Sequence, residues 1–275
     1  MGQASEVATI SRELANAKLT RTLRVTGRRS DGYHLLESEM VAVDLSDELW
    51  IDEGGEGLTI ADEIAWERSD RKRPVLEVPT DATNLVARAL ALAARRAGIR
   101  VVKRIPAGAG LGGGSTDAAA VLRYFGALDR ERASLLGADV PFCLEGGRAL
   151  VTGIGESLAP LGDEPLVFVI VTPAFPVSTK AVYDAYDELG PSSEPGENDL
   201  EPAAIAVEPR LGELRRAISE VAGRAPTLAG SGASYFLECG PSEQASLSQS
   251  LRASLAKAVD QFVVSPCSAT ARVAS

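Results

Sequence analysis

Residues 103–123 read KRIPAGAGLGGGSTDAAAVLR, with five glycines in the seven positions from Gly108 to Gly114. The segment Ile99–Ile105 before them has the pattern of a β-strand, and Ala118–Phe125 after them has that of an α-helix. Glycines at such a junction let backbone N–H groups close around a ligand, because no Cβ stands in the way. The stretch therefore predicts a strand–loop–helix unit whose loop binds a ligand.

A phosphate group is the ligand that best suits this loop. A helix N-terminus offers unsatisfied N–H donors and the positive end of the helix dipole, so it binds anions even on an acidic protein. Ser115 and Thr116 are placed to cap the helix, to ligate Mg²⁺ or to contact a phosphate oxygen. A flexible turn that Ser115 merely caps is the alternative, and five glycines without a ligand make it costly. Asp117 suits the helix dipole but would repel a phosphate unless it faces away or toward a metal.

Two common nucleotide motifs fit the loop less well. It lacks the lysine of the GxxxxGK[ST] P-loop. It contains GxGxxG at Gly108, Gly110 and Gly113, with Glu131 about twenty residues further on. Residues 124–130 (YFGALDR) nevertheless have the character of a helix end, where a dinucleotide-binding unit needs a parallel strand. A dinucleotide oxidoreductase is therefore disfavoured.

The composition is that of an ordinary globular protein, with 275 residues, 45% hydrophobic and 24% charged. A net charge of −10 disfavours nucleic-acid and anionic-membrane binding, so any anion site must be local. No apolar run approaches the roughly 18 residues of a spanning helix, and residues 1–18 lack a signal-peptide core. Three widely spaced cysteines predict reduced thiols rather than a disulfide framework or a zinc site. We expect a cytoplasmic protein.

Other segments predict elements around the loop. Residues 17–26 alternate in hydropathy, which predicts a half-buried strand. The polar face of this strand carries Lys18, Thr20 and Thr22. Helical spacing over Thr83–Arg96 predicts a helix that Gly98 stops. The continuously apolar residues 166–172 (LVFVIVT) predict a strand buried on both faces, in a second lobe.

Phosphoryl transfer needs a cation and a proton acceptor beside the phosphates. Lys18, on the polar face of the predicted strand, is a candidate for the cation. Asp139 is a candidate for the acceptor, because Gly137 and Pro141 constrain the turn that carries it. A solvated lysine and a purely structural turn are the alternatives, and spacing alone leaves the pairing of Lys18 with Asp139 open.

Read together, these segments resemble the GHMP small-molecule kinases. The glycine-rich stretch and AGSGAS (229–234) point to the superfamily. GRRSDGYHLLES (27–38), LGADVPF (136–142) and NDLEPAA (198–204) point to the branch that phosphorylates a cytidine-diphosphate-linked polyol in isoprenoid precursor synthesis. The matching segments occur in the family's order and run over most of the chain.

The resemblance implies an α+β fold of two lobes with the active site in the cleft between them. Residues 1–158 would form the ATP-binding domain and residues 159–275 the C-terminal domain. The implied reaction transfers a phosphoryl group from ATP, with Mg²⁺, to the 2-hydroxyl of the cytidine-diphosphate-linked polyol. A different small alcohol is the alternative substrate. We expect a small-molecule partner and a monomer or homodimer.

The resemblance also implies roles for individual residues. Asp139 would orient and deprotonate the substrate hydroxyl, while Lys18 would steady the transferring phosphoryl group. Asn84 and Lys103 would lie near the adenine, and Ser115 would ligate the metal. Tyr183 would stack on the pyrimidine. The residues around the ATP phosphates would be Pro106, Ala107, Gly108, Ala109, Gly110, Leu111, Gly112, Gly113, Gly114, Ser115 and Thr116. The residues around the substrate would be Thr20, which replaces the family's usual asparagine, with Tyr33, His34, Thr179 and Tyr183.

Overall fold

The computed structural model describes residues 10–67, 78–191 and 196–273, which contain two β-sheets and eight helices. The strands are β1 (Ile10–Arg28), β2 (His34–Asp52), β3 (Leu58–Asp62), β4 (Gly98–Lys103), β5 (Arg148–Gly153), β6 (Ser157–Pro160), β7 (Val167–Pro173), β8 (Thr227–Leu228), β9 (Tyr235–Glu238) and β10 (Phe262–Ser268). The helices are α1 (Leu85–Leu92), α2 (Gly113–Tyr124), α3 (Arg130–Ser134), α4 (Val140–Glu145), α5 (Thr179–Leu189), α6 (Glu201–Val207), α7 (Arg210–Ala222) and α8 (Gln244–Ala258).

Six strands form the first sheet and four form the second. The first has the order β3-β4-β2-β5-β6, with β1 also paired to β2, and the second has the order β10-β7-β9-β8. Every pairing between these described strands is antiparallel except that of β3 with β4. Within the described part of the chain, no helix combines the length and apolarity needed to cross a bilayer.

Three apolar clusters hold the two sheets and their helices together. One lies between the first sheet and α1–α4, and another between the second sheet and α5–α8. The third joins the two sheets, because it combines Leu19 of β1, Leu111 before α2 and Phe168 of β7. Each of these side chains is at most 1% exposed, and burial of each stabilises the fold by about 1.5–3 kcal/mol. The glycine-rich stretch is thus anchored against both sheets.

The boundary expected between residues 158 and 159 falls inside β6, which pairs with β5 of the first sheet. The division of the chain into two domains at this point stays a prediction.

The expectation of a doubly buried strand at residues 166–172 is confirmed by β7. All seven of its residues are buried, and it lies between β10 and β9. Because both faces of β7 are covered, the strand can be apolar without interruption instead of alternating.

The helix expected over Thr83–Arg96 is shorter in the structure, where α1 spans Leu85–Leu92. The helix ends well before Gly98, and Ala94 itself adopts a left-handed conformation with φ of 52°. Gly98 instead begins β4, where a Cβ would stand 3.1 Å from the backbone nitrogen of Glu56. The prediction that Gly98 stops the helix is therefore wrong. A glycine is needed at this position because the backbone at Glu56 approaches it closely.

The strand expected over residues 17–26 is part of the longer β1, and its alternation is interrupted. The register of β1 against β2 shifts between Asn16 and Lys18 and again between Thr20 and Thr22. Lys18 and Thr20 stay together, with the Lys18 ammonium donating to Thr20 Oγ1 at 3.1 Å. Thr22 leaves that polar face, and its hydroxyl accepts a hydrogen bond from the Glu39 backbone at 3.1 Å. The polar face of this strand therefore carries Lys18 and Thr20 but not Thr22.

We expect iodoacetamide at pH 8 to label one of the three thiols of the native protein rapidly. Cys143 and Cys267 are buried, whereas Cys239 is partly exposed. Burial raises the pKa of all three thiols, and that of Cys143 and Cys267 furthest, so least of the reactive thiolate forms at those two. Peptide mapping should place the fast adduct at Cys239, and Cys239→Ser should abolish the fast phase. Rapid modification of two or more thiols would contradict this expectation.

Candidate active site

The glycine loop, residues 106–112, connects β4 to α2. Gly112 precedes α2 with φ of 70° and ψ of 20°, and no side chain caps the helix. The first N–H groups of a helix have no partner within it, so the amides of Gly113, Gly114 and Ser115 are available to an anion. The local structure therefore has the donors that the sequence predicted for a phosphate.

Two glycines of this loop are also required because other parts of the chain pack closely against it. A Cβ on Gly110, which has φ of 77°, would overlap the carbonyl oxygen of Ala229 and lie 2.7 Å from that of Gly232. A Cβ on Gly112 would lie 2.7 Å from Cγ of Lys18. The absence of a Cβ at Gly110 thus lets residues 229–232, in the connection between β8 and β9, approach the loop, and its absence at Gly112 leaves room for Lys18. The sequence pattern predicts only a ligand-binding role for these two glycines.

The structure brings Lys18 and Asp139 together. Lys18 Nζ lies 3.3 Å from Asp139 Oδ2, and the two side chains are 7% and 30% exposed. Asp139 precedes α4 but makes no side-chain capping bond to it, so its carboxylate remains with the lysine. The catalytic roles of the two residues stay predictions.

A cleft of about 1230 Å³ is lined by the glycine loop, by the Lys18–Asp139 pair and by the turn at Tyr33 and His34. Among the residues expected at the site, it is lined by Lys18, Thr20, Tyr33, His34, Pro106, Ala107, Gly108, Ala109, Gly110, Gly112, Gly113, Gly114, Ser115, Asp139, Thr179 and Tyr183. Four expected nucleotide ligands are not part of the lining: Asn84, Lys103, Leu111 and Thr116.

Three of these four residues have structural partners instead. Asn84 caps α1, with its side-chain oxygen accepting from the Val86 amide at 2.8 Å. Leu111 is 1% exposed in the cluster that joins the sheets. Thr116 is also 1% exposed, and its hydroxyl donates to the carbonyl of Asn16 at 2.7 Å. Tertiary contacts thus direct the Leu111 and Thr116 side chains into the protein, whereas the Asn84 side chain is engaged by its own helix start.

Lys103 is the fourth, and it lies in a buried ionic cluster. Its ammonium contacts Asp117 Oδ2 at 2.7 Å and also Asp47 Oδ2. Burial lowers the pKa of Lys103, but the two carboxylates outweigh burial and the net shift is upward. Burial raises the pKa of Asp117, and the lysine offsets that only in part. Both carboxylates hold the Lys103 ammonium in the interior, and its expected place near the adenine stays a prediction.

At the start of β2, His34 is held by side chains of α5. Its Nε2 lies 2.7 Å from Asp187 Oδ1. Its ring stacks on Tyr183 with 4.8 Å between centroids and 22° between planes. One face of Tyr183 is therefore covered, and its stacking on a pyrimidine stays a prediction that would use the other face. Burial chiefly, then the charge of Asp139, raises the pKa of Tyr183 to about 12.

Two further residues of the cleft escaped the sequence reasoning. Asp187, which binds His34, follows Tyr183 by four positions on α5, and this helical spacing would have placed them on one face. Ser231 shares a hydrogen bond of 2.8 Å with Thr179 Oγ1. Ser231 lies in the AGSGAS segment, which served in the sequence analysis only as a motif of the superfamily.

Mg²⁺ needs oxygen ligands in near-octahedral geometry. The described residues contain no group of three or more histidine, cysteine, aspartate and glutamate side chains that could hold a metal. Mg²⁺ in nucleotide sites commonly keeps several waters and binds through one or two protein ligands plus the phosphates. The Ser115 hydroxyl lines the cleft at the start of α2, so the site fits an ion carried by the nucleotide.

The sequence profile of the GHMP kinases N terminal domain matches residues 82–147. The 4-diphosphocytidyl-2-C-methyl-D-erythritol kinase of Paracoccus denitrificans is 40% identical over 244 residues, which cover 82% of this chain and 85% of that protein. The chain belongs to the 4-diphosphocytidyl-2-C-methyl-D-erythritol kinase family. The enzyme of that name from Dinoroseobacter shibae is 39% identical over 251 residues, covering 81% of this chain and 83% of that protein.

Solved structures agree with membership of the 4-diphosphocytidyl-2-C-methyl-D-erythritol kinase family. A crystal structure of 4-(cytidine 5'-diphospho)-2C-methyl-D-erythritol kinase matches with a TM-score of 0.71 and 32% identity, over 94% of this chain and all of that one. The mevalonate kinase of L. major shares the fold at a TM-score of 0.64 and 13% identity, over the whole of both chains. The expected α+β fold of the GHMP kinases is thereby confirmed.

Proposed function

We propose that this protein transfers the γ-phosphoryl group of ATP to the 2-hydroxyl of 4-diphosphocytidyl-2-C-methyl-D-erythritol. Membership of the family makes the chain a small-molecule kinase with ATP as its phosphate donor. The observation that carries the proposal is the Lys18–Asp139 pair, whose Nζ and Oδ2 are 3.3 Å apart. The pair faces the same cleft as the glycine loop.

In the proposed reaction, the ATP phosphates bind the amides of Gly113, Gly114 and Ser115 at the start of α2. The carboxylate of Asp139 accepts the proton of the substrate hydroxyl as the oxygen attacks the γ-phosphorus. The new O–P bond forms while the bond between the γ-phosphorus and the bridging oxygen breaks, and ADP leaves with that oxygen. Lys18 provides a positive charge beside the transferring group and holds Asp139 in place.

Thr20 helps to position Lys18, since its hydroxyl accepts from the ammonium at 3.1 Å. With Asp139 at 3.3 Å, the ammonium then has two protein partners and one remaining donor direction for a phosphate oxygen. Ser115 would be the protein ligand of Mg²⁺, which when bound neutralises phosphate charge.

The turn that carries Tyr33 and His34 is proposed to bind the cytidine end of the substrate. Tyr33 is 62% exposed and lines the cleft together with His34. An exposed aromatic ring beside an imidazole offers stacking and a hydrogen bond to a base edge, and stacking contributes about 1–3 kcal/mol by analogy with single-strand binding. Thr179 and Tyr183 of α5 complete this part of the proposed site.

An ADP-release assay over a panel of alcohols tests the proposal. We expect kcat/KM for the diphosphocytidyl substrate to exceed that for mevalonate, homoserine or galactose by at least about a hundredfold, because a site built to hydrogen-bond one substrate leaves groups unpaired with others. The product should carry its new phosphate on the 2-hydroxyl, as read by ³¹P NMR. Faster turnover of another alcohol would replace this substrate with the alternative one while keeping the kinase class.

A further inference from the structure

The buried cluster of Lys103, Asp47 and Asp117 lies outside the cleft, yet it adjoins the glycine loop. The three residues come from β4, β2 and α2 and are 5%, 0% and 4% exposed. One ammonium is shared by two carboxylates, with 2.7 Å between Lys103 Nζ and Asp117 Oδ2. Burial of such groups away from water is costly, and their mutual attraction offsets that cost only when the geometry is good.

The cluster holds the chain on both sides of the loop. On the N-terminal side, Asp47 Oδ1 accepts hydrogen bonds from the backbone amides of Arg104 and Ile105, the latter at 2.8 Å. These are the two residues that precede the loop at Pro106. On the C-terminal side, Asp117 is an α2 residue and bonds to the Lys103 ammonium. The two ends of residues 106–112 are thus fixed to one group of charges.

The ammonium also lies directly behind the phosphate-facing end of the loop. A Cβ built on Gly113 would stand 3.2 Å from Lys103 Nζ. Gly113 is the first residue of α2, and its amide is among those with no partner inside the helix. Asp117 Oδ1 is buried without a hydrogen-bond partner in the described part of the chain. An unsatisfied buried oxygen lowers the stability of the fold, so its position next to the loop is unusual.

We propose that Lys103, Asp47 and Asp117 are positioning residues for the nucleotide's phosphates. They set the distance and angle between the end of β4 and the start of α2, so that the amides of α2 are aimed before the nucleotide arrives. Preorganised donors bind an anion more tightly because no ordering remains to be done on binding. Lys103 acts through the backbone and does not contact the adenine.

Lys103→Gln tests this role through nucleotide binding. The substitution keeps much of the length and can still donate hydrogen bonds, but it removes the charge that holds both carboxylates. We expect calorimetric Kd values for ATP, GTP and inorganic tripolyphosphate all to rise by a similar factor, about tenfold or more, by analogy with the loss of residues that orient metal ligands. Lys257→Gln, the same change at an exposed residue of α8, should leave all three values unchanged.

Two results would overturn the proposal. If the Kd for ATP rises while those for GTP and tripolyphosphate do not, Lys103 contacts the base. If the protein merely melts at a lower temperature with all three Kd values unchanged, the cluster is only structural. Should Lys103→Gln fail to fold, Asp117→Asn decides the matter, since it keeps an acceptor for Lys103: a parallel rise in the three values supports positioning, and no rise overturns it.

The inference rests on the proposed use of ATP but not on the proposed acceptor. Because it is measured as nucleotide binding in the absence of any alcohol, a wild-type protein that binds ATP yet leaves the diphosphocytidyl substrate unphosphorylated would defeat the proposed function alone. Conversely, a full ADP-release activity with unchanged nucleotide affinity in Lys103→Gln would defeat this inference alone.

Discussion

Asp139→Asn is expected to lower kcat at least about a hundredfold, the scale on which a positioned general base contributes. The amide cannot accept the hydroxyl proton, although it has nearly the shape of the carboxylate. Asp139 caps no helix with its side chain, and the asparagine oxygen can still accept from the Lys18 ammonium, so the protein should still fold. The Kd for ATP should stay within about twofold, because the phosphates bind amides of α2 instead. Steady-state ADP release and calorimetric titration with ATP measure the two quantities.

Asp163→Asn is the matched control for this change, since Asp163 is an exposed residue after β6. Its kcat should equal that of the wild type. The distinctive result is a large fall in kcat with an unchanged Kd. Turnover near the wild-type rate in Asp139→Asn would remove Asp139 from the mechanism, and an equally large loss of ATP affinity would indicate that Asp139 supports the nucleotide site rather than the chemistry.

Gly110→Ala is expected to destabilise the whole fold and to disrupt the site at once. The new Cβ would meet the Ala229 carbonyl and stand 2.7 Å from the Gly232 carbonyl, both on the backbone, where little can yield. Overpacking of this kind, with a left-handed φ added, costs about 3 kcal/mol or more. For a chain of this size that is a fall in Tm of about 6–12 °C. Differential scanning calorimetry measures it, and ATP affinity should fall in parallel.

Gly223→Ala separates the steric term from the backbone term. Gly223 has φ of 68° and ψ of 9°, a left-handed conformation, but a Cβ there has no heavy atom within 4 Å. It should therefore show only the cost of the left-handed conformation, about 1–2 kcal/mol, with unchanged ATP affinity. Equal losses of stability in the two variants would mean that the close approach of the 229–232 segment contributes nothing.

Much of the candidate site was predictable because its signals are local. Five glycines between a strand pattern and a helix pattern specify a loop whose amides face outward, and the helix start of α2 follows from the alanines after it. The fully apolar run at residues 166–172 likewise predicted a central strand, since covering both faces removes the need for alternation. Such features depend on neighbours a few residues away, which the sequence lists directly.

Other features could not be read from the sequence, because distant segments determine them. Lys103 has the local setting of a ligand beside a glycine loop, but Asp47 and Asp117 draw it into the interior. Tyr183 has the setting of a base-stacking ring, but His34 covers one of its faces. In both cases the deciding partner lies on another element, and no periodicity along the chain reports which elements meet.

The sequence by itself determined the strand–loop–helix unit, the buried strand of the second sheet and, through its motifs, the family. Only the tertiary structure decided that Lys18 and Asp139 meet at 3.3 Å, that Gly110 must admit the 229–232 segment and that Lys103 stays inside. The physical reason is that backbone conformation and hydropathy are set by nearest neighbours. Side-chain partners across the cleft are chosen by the packing of two sheets that share one apolar cluster.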